Sequence, residues 1–276
     1  MNALYHYTDL NALLSIIRNK KLWLTGTNNL NDFRELNWAT SLLSEKLFEL
    51  SQKHGDEKTN MVWQIFHHTI GVPYICSLTS DPDLLSQWRG YGDNAAGVAI
   101  GFKLSALPMK RPFPLLSMIK DDSVSLHEVI YDKATQENLI SAILEPIFSK
   151  PELDGQIHAA ISLACTQLCG LAAMLKNPAF HEEREWRIIH RPMIMGREGS
   201  NESEVMYSIS PPQQRVARNK LITYFEYDLR PDQEGQVFQE IVLGPKCEVS
   251  DYDLSIFLTQ NGIAELPVRR SAASYR

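Results

Sequence analysis

Cysteine is scarce in this chain. Four of its 276 residues, Cys76, Cys165, Cys169 and Cys247, are too few and too scattered to make a disulfide framework. Cys165 and Cys169 sit four apart on an expected helix, where two thiolates without His-rich spacing nearby do not close a tetrahedral zinc site. Buried free thiols are expected instead. His67, His68, His127, His158, His181 and His190 show no ligand spacing either, so no metal is expected. Long apolar runs are also missing. The longest apolar-leaning stretch, "HAAISLACTQLCGLAAML", carries His158, Ser162, Thr166 and Gln167, which fits a core helix and not a membrane span. The start "MNALYHYTD" lacks a basic segment followed by an apolar one, so no secretory signal is read and a cytoplasmic protein without membrane partners is expected. No Walker loop, dinucleotide glycine fingerprint, internal repeat, low-complexity tract or long Pro/Gly/Ser linker occurs.

An excess of positive charge is absent as well. The formal net charge of −6 gives no global footprint for nucleic acid, although basic residues thicken locally at Arg184, Arg187, Arg191 and Arg197 and again at Arg215, Arg218 and Lys220. What is present is an ordinary globular composition, 44% hydrophobic and 22% charged, in a chain long enough to bury a sizeable core.

The patterns predict a compact strand, helix, strand unit at the start. In "ALYHYTD" alternate side chains share a face, which pairs Leu4, His6 and Thr8 against Tyr5 and Tyr7. Asp9 can cap a helix with Leu10, Leu13, Leu14 and Ile17 at 3.6 periodicity, and "KLWLTG" alternates as a strand. Asp32 with Glu35 forms a capping-box-like start for a long helix, and a shorter helix leads to the strand "PYICSLTS". Asp81 and Pro82 are expected to open a helix with Leu84, Leu85, Trp88 and Tyr91 on one stripe. In "GVAIGFK", small Ala99 and Gly101 share the face opposite Val98, Ile100 and Phe102, so something approaches that backbone closely. Two consecutive helices follow the strand "SVSLHEVIYD". Then come the strands "REWRIIH", "SEVMYSI", "KLITYFEYD" and "QEIVLGP", a late helix "SDYDLSIFLTQNG" and a short strand near "ELPVR". Strands early and late with helices between them indicate an α+β fold, one domain over 1–276 with a mainly helical insertion at about 134–176.

In "HEEREWRII", read as extended, Glu183, Glu185 and Arg187 lie on one face. An arginine two residues on keeps Glu185 ionised and fixes its rotamer, which suits a carboxylate that steadies a developing positive charge. The plainer reading is a surface strand with cross-strand ion pairs. Arg89 lies off the expected stripe and can reach a pyrophosphate, since a guanidinium matches phosphate oxygens in bidentate fashion. Asn31, Asp32 and Glu35 can line a pocket, although capping already accounts for the two acids.

The set "YHYTDLNALLSIIRNKKLWLT", "LNDFRE", "CSLTSDPDLLSQWRGYGDNAAGVAIGF", "FHEEREWRII" and "EIVLGP" resembles a bacterial family known as domain of unknown function 2971. The strand with His and Thr two apart, the helix, the next strand and a distant strand-borne glutamate are in turn similar to ADP-ribosyltransferases of the His-Tyr-Glu kind, including diphtheria-toxin-like enzymes and toxins that modify DNA bases. That resemblance implies a split antiparallel sheet and NAD as the substrate. It implies that His6 and Thr8 hold the adenosine-side ribose. Glu185 would hold the nicotinamide-side ribose and stabilise the oxocarbenium-like state, and Tyr91 would stack on nicotinamide. Glu183 would activate the acceptor, a nucleic acid or a protein, while Arg89 and Asn31 complete the NAD-binding set. A toxin or phage-defence effector is implied, with a cognate antitoxin or regulator as its partner. Two other readings stay open: a non-catalytic ligand-sensing or interaction module on the same fold, and an RNA 2'-phosphotransferase-like enzyme. The local arginines favour the latter and the acidic total disfavours it.

Overall fold

A computed structural model describes residues 2–29, 34–69, 71–149, 156–196, 203–206, 209–217, 219–231 and 236–274. The first unit is β1 (Ala3–Thr8), α1 (Leu10–Asn19) and β2 (Lys21–Gly26), followed by the helices α2 (Arg34–His54) and α3 (Asp56–Thr69). The middle of the chain holds β3 (Tyr74–Thr79), α4 (Leu85–Gly90), β4 (Val98–Lys103), α5 (Lys120–Ser123), β5 (Val124–Glu128), α6 (Lys133–Phe148) and α7 (Ile157–Ala172). The remainder is β6 (Glu185–His190), β7 (Met193–Gly196), β8 (Ser203–Met206), β9 (Gln213–Ala217), β10 (Lys220–Asp228), β11 (Phe238–Leu243), α8 (Asp251–Gln260) and β12 (Val268–Arg270). The fold is therefore α+β.

One mixed sheet of ten described strands runs β12-β11-β4-β1-β3-β2-β10-β9, with β6 on β3 and β5 on β6. All of its pairings are antiparallel except β11 with β12. Strand β3 is the hub. One of its edges pairs with β6 along the whole strand, from Tyr74 opposite His190 to Thr79 opposite Glu185. The other edge is divided, because Thr79 pairs with Tyr5 of β1 while Ile75 and Tyr74 pair with Thr25 and Gly26 of β2. Between those contacts Cys76, Ser77 and Leu78 have no partner on this edge among the described strands, and β1 and β2 splay apart. The sheet thus opens into two wings, β1-β4-β11-β12 and β2-β10-β9, bridged by α1.

Local chemistry explains the first unit. Asp9 caps α1 by accepting a hydrogen bond from the Ala12 amide at 2.7 Å, and Lys20 ends the helix in the left-handed region at φ 51°. Leu13, Ile16 and Ile17 turn inward onto Leu4, Leu22 and Leu24, forming part of the main core beneath the sheet. Each such side chain contributes about 1.5–3 kcal/mol on burial. A second core joins α2, α3, α6 and α7 through Leu43, Val62, Phe66, Leu144, Ile161 and Leu168. The helices expected as an insertion at about 134–176 therefore pack with α2 and α3 from another part of the chain.

Two local expectations are corrected. Helix α4 starts at Leu85, not Asp81: the Asp81 carboxylate instead accepts the Asp83 amide at 3.0 Å in a turn, and the Leu84 amide is taken by the Tyr7 hydroxyl at 2.8 Å. The apolar stripe breaks with it, since Leu85 is 40% exposed while Trp88 is fully buried. The segment Pro178–Glu183 is a 3₁₀ turn capped by Asn177, and Arg184 adopts φ 45°, so β6 begins only at Glu185. Glu183 and Glu185 do not share a strand face.

Asn31 and Asp32 lie outside the described residues, as do Arg197 and Arg218, and Glu35 lies in α2 with its side chain outside them. The close approach anticipated at Gly101 is made by a protein ring. A Cβ there would lie 2.8 Å from Tyr5, which occupies the space. All four cysteines are buried and free.

Candidate functional site

The wedge between the two wings encloses a cavity of about 560 Å³, within the size range of ligand pockets. Its walls come from β1 (His6, Thr8), the first turns of α1 (Asn11, Ala12, Ser15), β2 (Lys21, Trp23, Thr25), β3 (Ile75, Cys76, Ser77), Tyr91, and the pair Lys176 and Glu185. Arg215 of β9 completes it. Five residues that sequence reasoning picked out from separate segments are accounted for here: His6, Thr8, Tyr91 and Glu185 line the cavity, and Glu183 stands behind it. Arg89 is exposed on α4 and is not part of the lining.

His6 is placed by the split itself. Its Nδ1 lies 2.9 Å from the carbonyl of Ser77, a β3 residue that has no strand partner on the β1/β2 edge. A carbonyl only accepts, so Nδ1 carries the proton, and burial lowers the pKa of the ring so that it is neutral near pH 7. Nε2 is then an acceptor, suited to a ligand hydroxyl. The Thr8 hydroxyl, two residues along the same face, supplies both a donor and an acceptor. Cys76 lies near the ring, with Sγ 3.8 Å from Nδ1. Burial, helped by the Glu185 charge, pushes its thiol up to about 12, so it is a protonated wall residue and not a nucleophile.

Glu185 is held by two cations. Arg187 donates from Nε to Oε1 at 2.8 Å and from Nη2 to Oε2 at 3.0 Å, and Lys176 donates to Oε2 at 2.8 Å. Lys176 also reaches the Glu183 carboxylate at 2.5 Å, and Arg187 donates to the Ala173 carbonyl at 2.9 Å. In these contacts two carboxylates offset two cations in a largely buried setting. Burial alone would raise the Glu185 carboxyl, but Arg187 and Lys176 outweigh it and hold the group well below the usual carboxylate range. It is an anion throughout the physiological range. Three donors on a carboxylate that offers about four acceptor positions leave one position, on Oε1, for a ligand.

Two wall residues, Trp23 and Arg215, were given no site role by sequence reasoning. Trp23 is 40% exposed, lies 4.4 Å from the Tyr224 ring centroid, and carries the Arg215 guanidinium 5.6 Å from its own. The available signal was an aromatic on the face of "KLWLTG" opposite its two leucines. Tyr91, 43% exposed at the end of α4, faces the same cavity, whereas Trp88 turns away to stack edge-on against Tyr7 at 4.6 Å. A further buried pair, Ser125 Oγ and His127 Nε2 at 2.7 Å, has the look of a hydrolytic dyad but does not line the cavity.

Among the described residues, no group of three His, Cys, Asp or Glu side chains is arranged to hold a metal, and no helix is long and apolar enough to cross a membrane. No curated protein and no solved structure matches the chain. Part of the chain, residues 87–188, does match a family, described as "Protein of unknown function (DUF2971)"; that span carries Tyr91, Lys176, Glu183, Glu185 and Arg187 and leaves His6, Thr8, Trp23 and Arg215 outside it.

Proposed function

We propose that this protein is an ADP-ribosyltransferase that takes NAD into the wedge of its split sheet and transfers ADP-ribose to a nucleic-acid or protein acceptor. The observation that carries the reading is that His6 and Glu185, far apart in the sequence, line one cavity of about 560 Å³. In this reading, the neutral His6 Nε2 and the Thr8 hydroxyl hold ribose hydroxyls, and Tyr91 and Trp23 provide aromatic walls. When the bond from ribose C1 to the nicotinamide nitrogen breaks, the electron pair leaves with nicotinamide and positive charge develops on the sugar. A fixed anion at Glu185 favours that state over the ground state, as carboxylates do in glycoside hydrolysis. The acceptor nucleophile then supplies an electron pair to C1 and releases its proton to solvent.

One observation favours a second reading, a ligand-sensing module without catalysis. Glu185 already satisfies two buried cations, which is a structural task in itself. Nicotinamide release from NAD, measured by chromatography with wild type and His6→Ala, separates the two. Release by wild type that falls by tenfold or more in His6→Ala supports the transferase. A melting temperature raised by NAD with no release supports the sensor. Neither release nor a shift sinks both.

A further inference from the structure

The cations that line the cavity are not equivalent. Lys176 is neutralised by Glu183 and Glu185 at 2.5 and 2.8 Å, and Lys21 by Glu226 at 2.7 Å, with Asp228 at 3.8 Å. Arg215 has no carboxylate partner among the described residues, and its Nε is buried with no hydrogen-bond partner. What orients it is Trp23, whose ring lies under the guanidinium at 5.6 Å and is itself backed by Tyr224 at 4.4 Å. The antiparallel register, Arg215 opposite Ile222 and Trp23 opposite Glu226, sets these side chains on the same face of the β2-β10-β9 wing. An aromatic face steadies a guanidinium without cancelling its charge. A half-buried, oriented guanidinium on a cavity wall, with no hydrogen-bond partner among the described residues, is arranged for an anion, and its planar fork suits phosphate oxygens best.

We infer that Arg215 is an anion-binding residue that grips the phosphate of a phosphorylated nucleotide in this cavity; resting on the reading above, that group is the diphosphate of NAD. The pyrophosphate role anticipated for Arg89 thereby passes to a residue on the opposite wing. Trp23 acts as the positioning residue for Arg215.

The test uses the full chain with three probes, pyrophosphate, ADP-ribose and adenosine. The arginine Nε–H resonances are followed by NMR, and affinities are measured by calorimetry for wild type and Arg215→Gln. Pyrophosphate and ADP-ribose are expected to move the Arg215 Nε–H resonance and adenosine to leave it. Arg215→Gln is expected to keep its melting temperature and adenosine affinity and to lose roughly 10- to 100-fold for ADP-ribose, the scale of a hydrogen bond to a charged group. Equal ADP-ribose affinity in the two proteins overturns the inference and leaves the NAD reading intact. A resonance moved by pyrophosphate in a protein that binds neither ADP-ribose nor NAD does the reverse: the anion site stands and NAD is the wrong ligand. A resonance unmoved by both phosphorylated probes overturns the Arg215 assignment outright.

Discussion

The two faces of β1 put the same strand to opposite uses. On one face Tyr5 and Tyr7 are buried with Trp88, and both hydroxyls are hydrogen-bonded within the protein. Tyr5 donates to Glu240 at 2.8 Å, while Tyr7 donates to the Asp81 carbonyl at 3.0 Å and accepts the Leu84 amide at 2.8 Å. On the other face His6 commits one ring nitrogen to Ser77, and the Thr8 hydroxyl has no protein partner among the described residues. Buried polar groups that are fully paired hold a fold together, and those left with an unused position beside a cavity are available to a ligand. Substitutions on the tyrosine face should therefore act on stability, and those on the histidine face on binding.

The comparison is sharpened first by Trp88→Ala, which empties a fully buried site against Tyr7. A loss of about 3–5 kcal/mol in urea unfolding is expected. Next comes Tyr7→Phe, which leaves the Leu84 amide and the Asp81 carbonyl without their hydroxyl partner; a loss of about 1–3 kcal/mol in urea unfolding is expected. His6→Ala is expected to cost less, about 0.5–1.5 kcal/mol, because the Ser77 carbonyl then faces a cavity that admits water. A large stability loss in His6→Ala with unchanged ligand binding would break the comparison.

Acid should expose a slope carried by buried histidines. Burial lowers His127 and His190 to about 4 and lowers His6 as well. Each binds fewer protons folded than unfolded between its folded value and the ordinary 6.5, so the stability it contributes is full above 6.5 and is lost as pH falls through its folded value, about 4 for His127 and His190. The melting temperature is expected to drop over that window, and less steeply in His127→Gln. The depressed Glu185 carboxyl adds its own loss below that window, as pH falls from the ordinary carboxylate range through its folded value.

Much of this was legible along the chain. The period-two alternation of "ALYHYTD" separated the two faces of β1, and the Asp9 cap and the leucine spacing located α1, because these signals are local. The extent of α4 was not, since Asp81 has two uses open to it and only the tertiary contact with Tyr7 selects the turn over the cap. Glu183 was placed on a strand because no local signal marks Arg184 as left-handed. Arg215, noted as part of a basic cluster, and Trp23 were given no site role because neither belongs to a short motif; they meet through the pairing of β9, β10 and β2, which sequence spacing does not encode.

The divided edge of β3 has a mechanical meaning. The two wings are tied to a shared strand and to α1, and no ladder joins β1 to β2 among the described residues, so a molecule lodged in the wedge would touch both wings at once. Occupancy should slow hydrogen exchange at amides on both β1 and β2 at once, coupling two surfaces that share no hydrogen bond.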